Sequence, residues 1–288
     1  MQNFCLFTDS ACDIDVSLLK EWNVESINMT YRFETDNKDY FSGDMPIKDF
    51  YNMMREGAIA KTAAINPQAF IEAFTPILKE GKDILYLAFS SGLSTTYNSA
   101  NIAAEELSEL YPERKVLVVD TLCASAGQGL LVYLTAQKAK EGFSLEEAAK
   151  YAESIKLNLC HIFTVDDLVY LKRGGRVSSA VALMGKALGI KPILHVDNEG
   201  HLVSLSKVRG RKASLMALAE RYKETALEQN AGTIFISNGD CAKDAEFLAD
   251  AIKENCKVEV KLITDIGAVI GAHSGPGTMA LFYLGRER

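Results

Sequence analysis

Apolar residues along this chain fall into short runs that alternate with helix-length polar stretches. Residues 4–7, 84–89 and 116–119 are near-continuous apolar runs, each closed by a polar or hydroxyl-bearing turn. Runs of that length predict strands buried on both faces, as in a parallel sheet whose crossovers are helices. The helices between them carry their own signals. Asn66 reads as an N-cap with Pro67 at the first helical position, and Gly81 follows a helix expected over 67–79. Ser144 and Glu147 have the spacing of a capping box, which predicts a second helix running to about residue 156.

Beyond that helix the texture changes. A strand is expected at 161–165, then a basic glycine turn at 172–176 and a helix at 178–188. Residues 192–196 and 202–207 read as an antiparallel hairpin with 197–200 in its turn. A helix at 212–228, a strand at 233–237, a helix at 242–255 and strands at 258–264 and 279–284 complete a second α/β unit. The expected fold is therefore two α/β domains, the first built on a mostly parallel sheet and the second on a mixed one. The boundary is placed near 158, giving 1–158 and 159–288.

Composition narrows the setting. With 288 residues, 48% of them hydrophobic, the chain can bury a large core. No apolar run reaches the roughly 18–20 residues that span a bilayer, and no signal-type segment opens the chain, so a cytoplasmic protein is expected. A net charge of -7 argues against a nucleic-acid surface, which needs a basic stripe. Six cysteines without a C-x-x-C pair read as reduced thiols, and four histidines without metal spacing give no reason to expect a metal.

Five polar clusters interrupt the pattern. The run 84–89 passes into Ser90-Ser91-Gly92-Leu93-Ser94-Thr95-Thr96, a hydroxyl-rich turn opening a helix. Helix starts have N–H groups without intrahelical partners and a positive dipole end, so this turn reads as an anion cradle, although Ser94 could equally serve as an ordinary cap. Asp9 and Ser10, after the first strand, divide evenly between capping and a pocket role. Thr62 lies in a small-residue loop at 61–67, where a turn residue is the commoner reading. Arg173 and Arg176 flank Gly174-Gly175; such a turn is more often merely solvated, but guanidinium forks suit carboxylate or phosphate. His273 stands among Gly271, Gly275 and Gly277, with little side-chain bulk to shield it. No G-x-S-x-G elbow, P-loop or credible dinucleotide fingerprint is present, so the anion is not expected to be a nucleotide.

In collinear order, Phe-Thr-Asp-Ser at 7–10, Lys-Thr-Ala at 61–63, Ser-Ser-Gly-Leu-Ser-Thr-Thr-Tyr at 90–97, Leu-Lys-Arg-Gly-Gly-Arg at 171–176, Gly-Ile-Lys-Pro-Ile-Leu at 189–194, Lys-Val-Arg-Gly at 207–210 and His-Ser-Gly-Pro-Gly at 273–277 resemble the DegV family of bacterial fatty-acid-binding proteins. The resemblance covers nearly the whole chain. It implies one long-chain fatty acid held between the domains, its tail in a tunnel of the second. Thr62, Ser94 and His273 would bind the carboxylate, with Ser91, Gly92 and Ser274 as additional head-group contacts. Arg173 would sit near the reacting end, and Arg209 on a surface that docks an ATP-binding fatty acid kinase subunit. The chain would then be the substrate-carrying subunit and not a complete enzyme. No cofactor, metal or nucleic acid is expected, and at most a transient membrane contact. Ala63 and Thr95 depart from the serine and glycine common at those positions, removing one hydroxyl and crowding the cradle. A stand-alone lipid transport or sensor protein is the alternative, and a hydrolase or phosphotransferase pairing His273 with Ser94 or Ser274 is a weaker one.

Overall fold

The computed structural model describes residues 4–36, 38–177, 189–229 and 231–288. The helix expected at 178–188 lies outside the described residues. Strands β1 (Phe4–Asp9), β2 (Val24–Ile27), β6 (Asp83–Ala88) and β7 (Val116–Asp120) form an all-parallel sheet in the order β2-β1-β6-β7. The short helix α1 (Val16–Glu21) connects β1 to β2. In β6 the two-residue side-chain period is plain. Ile84, Tyr86 and Ala88 pack with Phe70, Phe74 and Leu107 on one face, while Leu85 and Leu87 pack with Leu130 and Leu131 on the other.

Those packing partners lie on α3 (Pro67–Lys79), α4 (Thr96–Leu110) and α5 (Ser125–Lys140). The caps read from sequence are present: Asn66 accepts from Ala69 N at the start of α3, and Ser144 and Glu147 form both bonds of a capping box opening α6 (Leu145–Ile155). Helix α5 is buried nearly all round its first half, because it lies between the parallel sheet and the second sheet. Gly127 makes that approach possible. A Cβ there would stand 2.2 Å from His161 Nε2 and 2.7 Å from Phe282 Cδ1.

The second sheet is mixed, with order β10-β9-β8-β13-β11-β12: β8 (Leu159–Thr164), β9 (Ile190–Val196), β10 (Leu202–Arg209), β11 (Phe235–Asn238), β12 (Leu262–Asp265) and β13 (Met279–Leu284). Among the described strand pairs of this sheet, β11 and β12 pair in parallel and the others antiparallel, including the expected β9–β10 hairpin. Helices α8 (Arg211–Thr225) and α9 (Ala242–Cys256) cover its outer face through Leu215, Leu218 and Leu248.

A third, three-stranded antiparallel sheet, β4-β3-β5, was not foreseen: β3 (Thr30–Phe33), β4 (Tyr40–Phe41) and β5 (Ala60–Ala63). The segment expected as a loop at 61–67 thus begins as an edge strand. Lys61, Thr62 and Ala63 alternate no large apolar residue, so period-2 reasoning had nothing to detect. What holds this sheet is long-range. Tyr31, Phe33 and Ala60 pack with Phe50 and Tyr51 of α2 (Ile47–Arg55) and with Ala268 and Ala272 of α10 (Ala268–Ser274), a helix from the far end of the chain.

Candidate functional site

That packing of α10 on the small sheet brings together residues 211 positions apart. Thr62, on β5 opposite Tyr31, has its Oγ1 2.8 Å from His273 Nε2 in the last turn of α10. Ser94 arrives from the third direction, in the turn between β6 and α4. Asp9 fixes that turn: its carboxylate, wholly buried, accepts from Tyr86 Oη (2.6 Å), Phe89 N (2.9 Å) and Ala11 N (3.0 Å). Thr62, Ser91, Ser94, His273 and Ser274 all line one cavity of about 500 Å³. Its remaining wall is mainly apolar, including Phe89, Leu93, Phe163, Val196, Leu202 and Phe282.

The turn is more committed to structure than its sequence suggests. Ser90 is wholly buried and donates to Gly200 O (3.0 Å) in the β9–β10 hairpin turn, while its Oγ accepts from Gly92 N (3.2 Å). Gly92 does not line the cavity. A Cβ on it would meet Glu199 O at 2.7 Å and Gly200 O at 2.8 Å, so glycine is needed where two loops from different sheets touch. Ser94 Oγ accepts from Thr96 N (3.2 Å) and lies 2.9 Å from Thr96 Oγ1. The N-cap of α4 is Thr95, which makes no side-chain cap bond, so Ser94 is not the cap the sequence allowed; its hydroxyl holds the first helical N–H from one residue earlier and also lines the cavity.

His273 is neutral at pH 7. Burial, and secondarily the charge of Arg176, bring its pKa down to about 4. Its Nδ1 is buried with no hydrogen-bond partner among the described residues, pressed against the backbone of Gly174, where a Cβ would stand 2.2 Å away. A proton on Nδ1 would be a stranded N–H, so the favoured tautomer carries it on Nε2 and donates to Thr62 Oγ1. The Thr62 hydroxyl hydrogen is then available to the cavity. Ser274 Oγ, on a residue only 6% exposed, also has no partner among the described residues.

Of the two arginines in the glycine turn, the structure sets Arg176 against the cavity and Arg173 outside it. Helix α7 (Val169–Arg173) ends at Arg173, which is exposed beside the Tyr170 ring with Cζ 5.8 Å from its centroid. Gly175, at φ 69°, then turns the chain back, and Arg176 reaches the cavity with Nε donating to Leu93 O (3.3 Å) and Nη1 to Gly174 O. Among the described residues no carboxylate pairs with Arg176, and the undescribed positions contain no Asp or Glu. Burial lowers its pKa and no acid offsets that shift. Arg209 lies exposed at the end of β10, opposite Ile190, and does not line the cavity.

Sequence reasoning gave no role to His161, which also lines the cavity. Its Nδ1 bonds Leu159 O (3.0 Å), Nε2 accepts from Ala124 N (3.2 Å), and burial holds the ring neutral. Thr278 and Ser125 are satisfied internally too, by the Ser274 carbonyl and the Asp13 carboxyl. The cavity is therefore polarised. Around His273 the Thr62 hydroxyl hydrogen, the buried Ser274 hydroxyl and the Arg176 charge come together, while most of the remaining wall is apolar.

Among the described residues no group of His, Cys, Asp or Glu could hold a metal ion, and no helix is long and apolar enough to cross a membrane. The DegV family model, described as an uncharacterised protein family, matches residues 3–286. This chain belongs to the DegV family. It is 46% identical over 286 residues to a DegV domain-containing protein of Clostridium perfringens, covering 99% of this chain and 98% of that one. The fatty-acid-binding DegV protein of Thermus thermophilus superposes with a TM-score of 0.88 at 28% identity, over 98% of this chain and 99% of the other. A DegV protein of Eubacterium eligens loaded with heptadecanoic acid gives 0.85 at 25% identity, over 98% and 99%. Two α/β units, one on a parallel and one on a mixed sheet, are thus common to this chain and those DegV structures.

Proposed function

We propose that this DegV protein binds one long-chain fatty acid in the cavity, its carboxylate at Thr62, Ser94, His273, Ser274 and Arg176, and its tail along the apolar wall. The observation that carries this reading is the make-up of the cavity: a half-buried arginine with no acid partner and a buried serine hydroxyl without one among the described residues, beside His273 in a mainly apolar space. A volume near 500 Å³ falls within the roughly 300–1,000 Å³ of ligand pockets. Each methylene buried there contributes about 0.8 kcal/mol, so the tail dominates affinity. The carboxylate still has to be compensated on leaving water, and Arg176 with three hydroxyl donors supplies that. The fatty acid carried by the Eubacterium eligens relative is of the same chemical class.

The head group has a test of its own. Arg176→Gln is expected to weaken hexadecanoic acid binding about tenfold or more while leaving hexadecanol, which has the same tail and no charge, within a factor of about two. Equal losses for both ligands would remove Arg176 from the head-group site.

The finer reading is that the protein presents the acid to a separate ATP-binding kinase subunit for acyl phosphate formation, without catalysing the reaction alone. Its support is the exposure of Arg173 and Arg209, cations outside the cavity and suited to an acidic partner or a transferring phosphoryl group. With such a subunit and ATP, Arg209→Glu should lower acyl phosphate formation severalfold while fatty acid affinity stays unchanged. Full turnover by the Arg209→Glu protein would favour the stand-alone carrier instead.

A further inference from the structure

A second buried carboxyl, Asp13, joins the parts that enclose the cavity, and the lipid reading gives it no role. It follows the 3-10 turn Ser10–Cys12 in a left-handed conformation, φ 52°, and is 7% exposed. One oxygen accepts from Gly267 N at 2.9 Å, at the N-cap of α10, the helix whose last turn holds His273. The other is bonded to Ser125 Oγ at 2.5 Å, on the cavity wall at the start of α5, and Ser125 Oγ is in turn 2.9 Å from Ser237 Oγ of β11. Its backbone carbonyl accepts from Thr264 Oγ1 of β12 at 3.0 Å. A single residue therefore ties the parallel sheet, the mixed sheet and the helix bearing the head-group imidazole. A Cβ on Gly267 would stand 2.8 Å from Asp13 Oδ1, so the joint has no slack there.

We propose that Asp13 is a positioning residue for the cavity, a proton-operated tie that holds it closed while the carboxyl is protonated and loosens it on ionisation. The proposal rests on the fatty-acid reading. Ser125 Oγ donates to the ionised carboxylate; protonated, the carboxyl donates to Ser125 instead, which turns its own hydrogen to Ser237, and the other oxygen keeps the Gly267 bond, so the tie survives without a buried charge. Ionised, it is a buried negative charge with no base beside it among the described residues. The titratable groups facing it there are Asp9 from β1, Cys12 from the 3-10 turn, Tyr51 from α2 and Asp265 from the end of β12, none of them a cation. Burial, with smaller contributions from Asp9 and Asp265, pushes its pKa up to about 7. An opened joint would hydrate the carboxylate, so raising the pH through 7 favours opening. A bound fatty carboxylate repels the same charge, which gives the same sign.

The experiment compares the full-length protein with Asp13→Asn, which keeps the shape and both hydrogen bonds but cannot ionise. Affinity for hexadecanoic acid is measured from pH 6.0 to 8.5, alongside histidine-selective NMR of the unliganded protein. Wild-type affinity should fall about three- to tenfold with a midpoint near 7, relative to an Asp13→Asn protein that stays at the wild-type low-pH value. His273 should show the same titration in wild type alone. Parallel pH profiles for the two proteins, or an Asp13→Asn protein whose His273 signals titrate as in wild type, would overturn the proposal. If neither protein binds the acid at any pH, the lipid reading fails, and the His273 signals still decide whether Asp13 moves that helix.

Discussion

Two glycines decide what the neighbouring side chains can do. Gly174 presses its backbone against the buried Nδ1 of His273, and Gly175 turns Arg176 inward. Gly174→Ala places a methyl group 2.2 Å from that nitrogen, so the imidazole must swing away from Thr62. Fatty acid affinity should fall at least tenfold in a fluorescence displacement titration, with a stability loss of about 1–3 kcal/mol. Thr62→Val removes only the hydroxyl and should cost binding about 0.5–1.5 kcal/mol, roughly two- to twelvefold. The motifs singled out Thr62, Ser94 and His273, which the fold brings to one cavity. The resemblance put Arg173 near the reacting end, whereas the structure sets Arg176 against the cavity, because α7 ends at Arg173 and a left-handed turn follows.

Elements whose signal is local were read well, and those held by distant contacts were not. Helices α3 and α6 announced themselves by Asn66 and the Ser144–Glu147 box, and β1, β6 and β7 by apolar runs. By contrast β5 and α10 are short and small-residue-rich, and exist because Phe50, Tyr51 and Tyr31 pack between them. This division predicts opposite outcomes for two substitutions. Ser144→Ala should lower stability by about 1 kcal/mol in a urea titration and leave lipid affinity unchanged, since α6 does not touch the cavity. Gly127→Ala forces α5 away from His161 and Phe282, both cavity-lining, and should lower both stability and affinity.

For the molecule as a whole, two buried titratable groups give opposing pH dependences. His273, lowered to about 4 from 6.5, favours the folded state above pH 6.5, and that contribution is lost as pH falls toward 4. Asp13, raised to about 7 from 3.8, does the reverse. Its contribution is fully present below pH 3.8 and is lost as pH rises through 7. The thermal midpoint of wild type minus that of Asp13→Asn should therefore decrease between pH 5 and 8; a difference that does not change with pH would show that Asp13 keeps an ordinary carboxylate pKa. The two-unit architecture was legible from the alternation of strands and helices. The sharing of α5 between the sheets was not, because burial on all sides of a helix leaves no amphipathic stripe to point at its neighbours.

The central claim, a fatty acid held by its carboxylate in this cavity, is tested most directly by native mass spectrometry of the protein as purified from cells and after delipidation and incubation with hexadecanoic acid. The expected result is a one-to-one complex with a long-chain fatty acid, regained after delipidation by wild type and poorly by Arg176→Gln. Unliganded protein in both preparations, or a bound species without a carboxylate, would contradict it.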